Sequence, residues 1–593
     1  MSALSFAVGM GNLWRFPYLC YSNGGGAFLL VYLILAALVG FPLMFLEFSF
    51  GQYGRQGIVS IWKSCPIFEG VGWAMFSVSF IVSIYYNMLV AYCVFYVFAS
   101  FAKDVPWRDC GNPWNTAACS GPAQQRLLYN CTAHNGTWYE NTCYTQAHTD
   151  PQVYKTITNL IAVNGTISPK LPADEYFHNY MLDISGGPSE LGYPSWKIAL
   201  CLLLCWAIVV VTLSKGIKSS GKVTYVTALF PYVIMAILFV RGIMLEGALE
   251  GIYFYITPKW EKLLSAKLWG DAAMQVFFSL SICWGGLITL ATYNDFHNNS
   301  LRDAAVVTLG DSLTSVFGGV VIFSFIGSMA NTLNMPVADV ATKGAGLAFI
   351  IYPQAVTTLP VSQLWSILFM LMLMNVGIGT MFTLVQTVQT TLVDAFPRKL
   401  GRGRRPQFLL FAICLLGFLL GLPLTTRGGM YILQLMDQYA ATYTILSIGL
   451  AMVIGLAWVY GLKRYFSDIE VMLNRRLGLY WVVMWRFVTP GVIIFILLFS
   501  LVGFKPTQYG DYIFPPACEV IGWILSTVEF MFIPGVAIYK LCTTERGKSL
   551  IERLRILTTP HEDWGHKDEA RKEENQIPLS SAPNGIDADA HYA

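Results

Sequence analysis

Two short stretches, Ala7-Val8-Gly9-Met10-Gly11-Asn12 and Ser281-Ile282-Cys283-Trp284-Gly285-Gly286, interrupt apolar segments in the middle, and they do so in matching ways. Inside a bilayer an unwound helix leaves backbone groups unpaired, at a cost of several kcal/mol each, unless those groups line a cavity and bind something. Paired breaks at corresponding positions of two halves of a chain are the best sequence indication of a carrier's binding site. The two stretches therefore predict a membrane carrier that binds its solute between them.

The composition predicts an all-α polytopic membrane protein. The 593 residues are 55% hydrophobic and 12% charged, with a mean hydropathy of +0.53, which is too apolar for a soluble globular protein. The net charge is +3, and no basic patch is interleaved with aromatic residues, so nucleic acid is excluded as a ligand. Apolar stretches of about 20 residues lie near 4–22, 27–52, 70–101, 194–213, 222–244, 268–294, 304–327, 362–393, 407–424, 429–456, 479–501 and 516–541.

The positions of the basic residues predict the orientation of these twelve spans. Lysines and arginines cluster in the loops that follow spans 2, 4, 8 and 10, at Arg55, Lys63, Lys215, Lys218, Arg398, Lys399, Arg402, Arg404, Arg405, Lys463, Arg464, Arg475 and Arg476. Because cytoplasmic loops carry an excess of positive charge, loops after even-numbered spans are expected inside, and both termini with them. The polar segment 543–593 is expected to be a disordered cytoplasmic tail.

The long loop 103–193 is then extracellular, and its composition agrees with that side. It holds three N-glycosylation sequons, at Asn130, Asn135 and Asn164. It also holds four of the 13 cysteines, Cys110, Cys119, Cys131 and Cys143, which suits an oxidising compartment. We expect a Cys110–Cys119 bridge, while a Cys131–Cys143 pair stays open because sequence alone does not fix connectivity.

Several long motifs, in order along nearly the whole chain, resemble those of the neurotransmitter:sodium symporters (solute carrier family 6). They are Phe6-Ala-Val-Gly-Met-Gly-Asn-Leu-Trp-Arg-Phe-Pro-Tyr18, Asn23-Gly-Gly-Gly-Ala-Phe28, Pro42-Leu-Met-Phe-Leu-Glu47, Gly51-Gln52, Tyr85-Tyr-Asn87, Gln275-Val-Phe-Phe-Ser279, Trp284-Gly-Gly-Leu287, the spacing Gly221 to Pro231, and Asp437. Within the family the chain resembles the invertebrate nutrient amino-acid transporters and the glycine transporters.

The resemblance implies a fold and a domain organisation. Residues 1–245 would form spans 1–5, including the loop, and 246–456 would form spans 6–10 as an inverted repeat of the first five. Residues 457–542 would add spans 11 and 12, ahead of the tail 543–593. Sodium-coupled import across the plasma membrane by alternating access is implied as well.

The resemblance also implies two gates. Arg15 and Asp437 resemble the outer gate pair, and Asp394 resembles half of the inner gate. The usual inner partners are an arginine and a tryptophan ahead of span 1. The chain begins at Met1 inside the first half-helix, so we expect the N-terminus to be truncated.

The broken segments suit a zwitterion. Backbone N–H groups at Met10-Gly11 sit at the positive end of a half-helix and would bind a carboxylate, with help from the Tyr86 hydroxyl. Carbonyls around Ala7, Phe278 and Ser281 would bind the ammonium group. Monoamine carriers of the family place an aspartate where this chain has Gly9, so the substrate is expected to bring its own carboxylate.

By resemblance, the rest of the pocket is formed by Val82, Phe278, Ser281, Cys283, Trp284, Thr380 and Leu384. The Trp284 indole should shorten the cavity and favour small or medium neutral amino acids. The alternatives are structural: Tyr86 could be a packed tyrosine with a satisfied hydroxyl, and Trp284 could fill core space beside Gly285 and Gly286. The expected partners are thus a small neutral amino acid and membrane lipid.

Two sodium sites follow from the resemblance, and sodium favours hard oxygen ligands. Site 1 would use the Ala7 carbonyl, Asn12, Ser279 and Asp311, together with the substrate carboxylate. Site 2 would use the carbonyls of Ser5, Val8 and Val376 with the Thr380 hydroxyl. Gly379 stands where many relatives supply another oxygen, so site 2 is expected to be one ligand poorer.

The chloride site of the family is altered. Gln275, Ser279 and Ser315 are kept, whereas Phe45 is expected in place of the tyrosine and Asp311 in place of the asparagine. A carboxylate about 4 Å from an anion repels it by about 4 kcal/mol at an effective dielectric near 20. Chloride should then be weakly bound or dispensable, and the fixed charge could loosen selection between Na⁺ and other monovalent cations. A protonated Asp311 that mimics asparagine is the alternative.

The sequence favours a sodium-coupled neutral amino-acid carrier over functions of other classes. A sodium- and chloride-dependent glycine transporter is the alternative within the family. An ion channel or substrate-sensing receptor would also use broken helices, but a pore favours rings of like residues. An enzyme is not expected, since no catalytic constellation or nucleotide motif gathers at membrane depth.

Overall fold

The computed structural model describes residues 1–134, 136–139, 142–145, 149–150, 152–157, 170–214, 217–340, 347–440, 442–504, 506–510 and 512–565. In these ranges ten helices are long and apolar enough to cross a membrane, and they are Gly26–Gly54, Pro66–Ala99, Trp196–Ser214, Val223–Ile243, Ser300–Leu333, Ser362–Ala395, Arg405–Thr425, Gly429–Leu473, Leu479–Val502 and Pro516–Thr543. Two broken helices, spans 1 and 6, complete the twelve. The expected all-α polytopic fold is confirmed.

Span 1 breaks where the sequence predicts. It consists of α1 (Ser2–Ala7), α2 (Met10–Leu13) and α3 (Arg15–Ser22). Helix α1 ends as Val8 turns out of the helical region, and Gly9 is extended at φ −104° and ψ 178°. The break lies inside the bundle, since Phe6, Ala7 and Met10 are buried.

Spans 2 and 3 follow as long helices. Span 2 joins α4 (Gly26–Leu35) to α5 (Phe41–Gly54) through a π-helical segment, Ala36–Gly40. Short 3₁₀ turns at Ser60–Ser64 and Pro66–Phe68 lead into α6 (Glu69–Ala99), which is span 3. Most of α6 is buried, so it lies at the centre of the bundle.

The long loop after span 3 is compact where it is described. It contains α7 (Pro122–Ala133), the antiparallel strands β1 (Thr137–Tyr139) and β2 (Thr142–Tyr144), α8 (Pro172–Glu175) and the π-helical segment Tyr176–Met181. Two disulfides hold it, Cys110–Cys119 and Cys131–Cys143, with Cα–Cα distances of 5.7 and 5.6 Å. The expected bridge is confirmed and the open pair is present as well. Asn130 lies on α7, whereas Asn135 and Asn164 fall outside the described residues.

The middle of the chain contains the second broken span. Helices α9 (Trp196–Ser214) and α10 (Ile217–Ile243) are spans 4 and 5, and α11 (Ala248–Ile256) and the 3₁₀ turn Trp260–Leu264 precede span 6. Span 6 is divided into α12 (Ala266–Ser279) and α13 (Gly286–Ala291). Span 7 is the continuous helix α14 (Ser300–Leu333), whose first turn is capped by the Asn299 side chain.

Spans 8 to 12 complete the bundle. Short segments α15 (Val337–Val340), Leu347–Ile351 and α16 (Tyr352–Val356) lead to span 8, α17 (Ser362–Ala395). The remaining elements are α18 (Pro397–Leu400), α19 (Arg405–Gly421) with the turn Leu422–Thr425, α20 (Gly429–Tyr439), α21 (Thr442–Ile454) with the π segment Gly455–Gly461, α22 (Leu462–Leu473), α23 (Leu479–Val483) with the π segment Met484–Val488, α24 (Thr489–Val502), the hairpin β3 (Gln508–Tyr509) and β4 (Tyr512–Ile513), and α25 (Pro516–Thr543).

The first part of the expected disordered tail is ordered instead. A helix, α26 (Leu550–Thr558), starts at a capping box in which Ser549 and Glu552 bond each other's backbone N–H. Beyond it the Trp564 ring lies 5.6 Å from the ring of Tyr53, and its Nε1–H donates to the Tyr460 hydroxyl at 3.0 Å. Apolar residues in this segment thus find a partner surface at the end of span 2. Residues 566–593 lie outside the described chain.

Candidate functional site

The two breaks face each other at the centre of the bundle, and polar groups from spans 3 and 8 meet them there. The Met10 N–H donates to the Tyr86 hydroxyl of α6 at 3.0 Å. On the other side of the break, the Phe6 carbonyl accepts from the Ser281 hydroxyl at 3.3 Å and from the Thr380 hydroxyl of α17 at 3.4 Å. The unwound backbone is therefore satisfied by side chains of three other spans.

The second break has an unusual backbone. Ser281 and Cys283 have φ values of +50° and +68°, in the left-handed region, and Gly285 follows at +82°. Non-glycine residues stay in that region only where the surroundings hold them, and such positions cluster at functional sites. The Cys283 N–H donates to a carboxyl oxygen of Glu47, a fully buried acid of span 2. Sequence reasoning missed Glu47 as a site residue, although an acid inside an apolar span is a signal.

A small cavity of about 40 Å³ lies between the breaks. Such a volume holds on the order of three water molecules, since each needs about 10–15 Å³. Of the predicted substrate residues, those that line it are Gly11, Tyr86, Phe278, Ser281, Trp284 and Thr380. The rings of Phe278 and Trp284 meet edge to face, with centroids 5.7 Å apart, and form the wall that limits its size.

Four predicted substrate residues do not border this cavity. Val82 and Leu384 are buried in the packing around it. Met10 contributes its N–H, while its side chain lies against Gly377 of span 8. The Cys283 sulfur lies 3.0 Å from the place that a Cβ would take on Gly449, so its side chain points to span 10. The expectation that Cys283 lines the pocket is wrong, because the left-handed backbone turns the thiol away from the cavity and toward span 10.

The residues predicted as gates lie on both sides of the breaks. Arg15 and Asp437 line the outer edge of the small cavity. The Arg15 guanidinium stacks on Phe278, 4.0 Å from its ring centre, and no ion pair joins it to Asp437 within the ranges the structure describes. At the opposite end of the bundle, Asp394 accepts a hydrogen bond from the Gly57 N–H at 2.7 Å.

A second, larger cavity of about 350 Å³ lies below the breaks. Its walls include Phe48 at the end of span 2, Leu290 at the end of span 6, Val307 near the start of span 7, and Gly379 and Thr383 of span 8. It therefore reaches from the predicted cytoplasmic face to Gly379, the glycine of predicted sodium site 2. The two cavities lie on opposite sides of the breaks.

Polar side chains of predicted sodium site 1 are brought together. The Asn12 amide Nδ2 donates to Asp311 Oδ1 at 2.5 Å, and it also lies 3.1 Å from the hydroxyls of Ser279 and Ser315. The amide oxygen accepts from the Gly9 N–H at 3.3 Å. Binding of a cation at this place needs the amide to turn its oxygen toward Asp311. Asp311 and Ser279 are fully buried, and they supply hard oxygen ligands of the kind that Na⁺ prefers.

A tyrosine that sequence reasoning missed completes this cluster. The Tyr32 hydroxyl of α4 donates to Asp311 Oδ2 at 3.2 Å and lies 3.1 Å from the Ser279 hydroxyl and 3.5 Å from that of Ser315. The Ser279 hydroxyl donates to the same carboxylate oxygen at 2.5 Å. Gln275 lies close by and donates to the Gly11 carbonyl at 3.4 Å.

The expectation that Phe45 stands in for the tyrosine is therefore wrong. The Phe45 ring packs against Trp481 and Trp485 of span 11, with centroids 4.6 and 5.6 Å away. Phe45 lies on the side of span 2 that faces span 11. Tyr32 supplies the phenol of the Asp311 cluster. Aspartate in place of asparagine at position 311 is then the one remaining difference between this cluster and the chloride site described for the family.

Predicted sodium site 2 has side-chain oxygens that the sequence did not suggest. A Cβ on Gly379 would lie 2.4 Å from the Ser5 hydroxyl and 3.2 Å from the Ser5 carbonyl. The Ser5 hydroxyl in turn lies 3.0 Å from the Thr227 hydroxyl of span 5. Gly379 thus leaves space for Ser5, and the Ser5 and Thr227 hydroxyls lie beside the position that lacks a side-chain oxygen.

Replacing Ser5 by alanine is expected to raise the sodium concentration needed for half-maximal uptake by about tenfold, because a contact to a charged group is worth about 1.5–3 kcal/mol. The measurement is substrate uptake against sodium concentration. Ser49→Ala is the matched control, since this buried hydroxyl bonds to Tyr465 at 2.6 Å, away from the site. Equal sodium dependence of Ser5→Ala and wild type would contradict the assignment.

Comparison with known proteins agrees with this architecture. Residues 1–544 match the profile of the Sodium:neurotransmitter symporter family. A sodium- and chloride-dependent glycine transporter 2 from Xenopus laevis is 43% identical over 99% of this chain and 74% of its own length. Glycine transporter 1 from the same organism is 42% identical over 95% of this chain and 86% of its own length.

A third relative is similar to the same degree. The sodium- and chloride-dependent neutral and basic amino acid transporter B(0+) from Homo sapiens is 41% identical over 95% of this chain and 87% of its own length. The resemblance that the motifs indicate is confirmed. The chain therefore belongs to the sodium:neurotransmitter symporter family, whose members are multi-pass membrane transporters and not enzymes.

Proposed function

We propose that this protein imports small neutral amino acids across the plasma membrane by sodium-coupled alternating access, without a requirement for chloride. The observation that carries the proposal is the Met10 N–H and Tyr86 hydroxyl, 3.0 Å apart, at a small cavity with glycine at position 9. These groups suit a carboxylate. Position 9 has no acidic side chain that could pair with the amine of a substrate. The substrate then carries both charges itself.

The size of the cavity supports a small side chain. The cavity of about 40 Å³ between the breaks is bounded by the Phe278 and Trp284 rings, which leave too little room for a large aliphatic chain. The names of the similar relatives point the same way, since two of them are glycine transporters and the third is a neutral and basic amino acid transporter. Small neutral amino acids therefore fit the size of the cavity and agree with the names of the similar relatives.

The arrangement of spans supports coupling to sodium and the proposed orientation. Asp311, Ser279 and Asn12 would hold one ion beside the substrate, and Ser5, Thr380 and the backbone of Val8 and Val376 a second. Spans 1–5 (residues 1–245) and 6–10 (residues 246–456) would be inverted repeats with spans 11 and 12 (residues 457–542) outside them, and both termini would be cytoplasmic. The gradient of sodium then supplies the energy.

The geometry at Asp311 supports independence from chloride. In chloride-dependent relatives the tyrosine and serine hydroxyls are the donors for the anion. Here the Tyr32 and Ser279 hydroxyls donate to the Asp311 carboxylate, at 3.2 and 2.5 Å. The fixed carboxylate thus uses the donors and supplies the negative charge that chloride would bring.

A sodium- and chloride-dependent glycine transporter is the second candidate. It is favoured by the printed names of the relatives and by the presence of Tyr32, Gln275, Ser279 and Ser315 in one cluster. The two candidates differ in one experiment. Uptake of twenty radiolabelled amino acids, with sodium and chloride replaced separately, is expected to show sodium-dependent uptake of glycine, alanine and similar substrates that persists in gluconate. Uptake that needs neither ion would contradict both.

Replacing Trp284 by leucine is expected to widen the cavity and admit larger substrates. We expect the uptake of leucine relative to glycine to rise on the order of tenfold, since a pocket discriminates by about 10–200-fold for each methylene group it excludes. The measurement is competition between the two labelled amino acids. Trp458→Leu is the matched control, because this indole is half exposed on the outside of span 10. An unchanged ratio would mean that Trp284 only fills core space.

A further inference from the structure

A buried carboxyl group lies in span 12, outside the site described above. Glu529 of α25 is fully buried, although this helix presents Ile524 and Val528 to the outside, with 57% and 56% of their surface exposed. Ionisable groups within membrane spans are costly and mark functional positions. Nothing in the proposed transport mechanism uses Glu529.

Span 10 supplies the partner of this carboxyl group. The Thr444 Oγ1 of α21 lies 3.0 Å from Glu529 Oε2, 3.3 Å from the Ser526 carbonyl and 3.4 Å from the Ser526 hydroxyl. Glu529 Oε1 is buried and has no hydrogen-bond partner within the described chain. The side chains of Thr444, Ser526 and Glu529 are all buried, so they form a closed polar cluster between spans 10 and 12.

Charged groups do not compensate Glu529. No charged neighbour acts on it in the part of the chain that the structure describes, where Thr444 is its polar partner. From α6, Tyr85 is the ionisable side chain within electrostatic range, and Tyr85 is also within range of Asp437 and Arg15. A carboxylate at this place would add negative charge next to a phenol and would gain no counter-ion.

The shortage of donors at Glu529 assigns a proton to this group. An ionised carboxylate accepts up to four hydrogen bonds, and among the described residues the Thr444 hydroxyl is the one donor that reaches it, at Oε2. With a proton on Oε2, Glu529 donates to Thr444 Oγ1, and Thr444 donates to the Ser526 carbonyl. Each of these hydrogens then has an acceptor, and only the neutral Oε1 carbonyl lacks a donor, which is a tolerated condition.

We propose that Glu529 is a proton-binding site, at which a neutral carboxylic acid joins span 12 to span 10 through Thr444. The ligand is H⁺, and its removal at alkaline pH leaves an unpaired charge between the two spans. The fold is then expected to weaken as the pH rises, because the protonated form is the one that the native packing stabilises. This inference does not depend on the identity of the transported solute.

Thermal stability against pH tests the proposal. From about pH 7 to about pH 9.5, above the range in which exposed carboxyl groups titrate, the fraction of wild-type protein that stays monodisperse after heating is expected to fall at least about twofold. Glu529→Gln keeps the shape without an ionisable group at this position, so its fraction should fall clearly less than that of wild type, while Glu47, a second fully buried carboxyl group, is present in both proteins. Glu519→Gln is the matched control on the same helix, since Glu519 accepts from the Thr507 N–H at 2.7 Å, and it should show the wild-type fall.

Two outcomes overturn the proposal. The first is the same pH dependence in wild type and Glu529→Gln. The second is a sodium-dependent stabilisation of wild type that Glu529→Gln lacks, which would make the carboxyl group a cation ligand. Glu529→Met, of similar volume, is the second variant and should show the same reduced fall as Glu529→Gln. If both variants are unfolded at neutral pH, the fold requires a charge at this position, and the proposal that Glu529 is protonated is wrong.

Discussion

Asp311→Asn is expected to make uptake depend on chloride, whereas uptake by the wild-type protein persists without it. The Tyr32 and Ser279 hydroxyls both donate to Asp311 Oδ2. Asparagine keeps the size of the side chain and removes its charge. The two hydroxyls are then free to donate to an anion in the same cluster, beside Ser315.

The size of this effect follows from the electrostatics. A fixed charge about 4 Å from the anion contributes about 4 kcal/mol of repulsion at an effective dielectric near 20. Removing it raises chloride affinity on the order of a thousandfold, since about 1.4 kcal/mol corresponds to a factor of ten. Without chloride, the variant lacks the negative charge that balances sodium, and its uptake should fall about tenfold or more.

The measurement is uptake of labelled glycine or alanine in sodium chloride and in sodium gluconate. Wild type is expected to keep most of its uptake in gluconate, and Asp311→Asn to lose it. Asp303→Asn is the matched control, because Asp303 lies on the same helix and accepts from the Asn298 side chain at 2.7 Å, far from the cluster. A wild-type protein that loses most of its uptake in gluconate would refute chloride independence and favour the second candidate.

Tyr86→Phe is expected to reduce uptake by about 100-fold at low substrate concentration. The Tyr86 hydroxyl binds the Met10 N–H at 3.0 Å and borders the cavity. Its loss removes a hydrogen bond to the proposed substrate carboxylate, and such bonds to charged groups contribute up to about 3 kcal/mol. Because the missing contact is with the substrate, abundance at the cell surface should stay unchanged.

Uptake and surface biotinylation, measured on the same cells, test this expectation. The chain offers a close control in Tyr92→Phe, on the same helix. The Tyr92 hydroxyl is buried and has no hydrogen-bond partner in the described residues, so its removal should change uptake less than about twofold. Wild-type uptake by Tyr86→Phe would show that Tyr86 is a packed core residue with no part in binding.

The breaks themselves could be predicted from sequence because glycine is unfavourable inside a helix, so a glycine-rich stretch within an apolar span indicates an interruption. Helix α1 ends at Ala7 and α2 begins at Met10, within the predicted stretch, and α12 ends at Ser279, just before the second one. Tyr86, Trp284 and the Asn12–Asp311 pair are predicted through the resemblance to the family, and the structure places Tyr86 and Trp284 at one small cavity and Asn12 beside Asp311.

The error at Phe45 has a geometric origin. Tyr32 and Phe45 are both aromatic residues of span 2, separated by 45 − 32 = 13 positions. At about 100° per residue, a separation of this length places two side chains on roughly opposite sides of a helix. The π-helical segment Ala36–Gly40 between them changes the phase further. Sequence does not show that segment, so the side of the helix could not be assigned.

The contacts at Gly379 and Cys283 depend on three-dimensional neighbours that sequence does not reveal. Gly379 looks like a lost ligand until Ser5 of span 1 and Thr227 of span 5 are seen beside it. Cys283 follows the motif of the pocket, yet its φ of +68° directs the sulfur to Gly449. Both cases require knowledge of which spans touch and how a break turns the chain.

The segment after span 12 has a practical meaning for work with this carrier. The match to the family profile covers residues 1–544, and the described chain continues through Trp564 and Gly565. A fluorescent tag joined at the end of the profile match would remove Trp564 and expose Tyr53 and the Gly54 backbone, which it contacts. Expression plasmids should therefore carry their fusion partner downstream of Gly565.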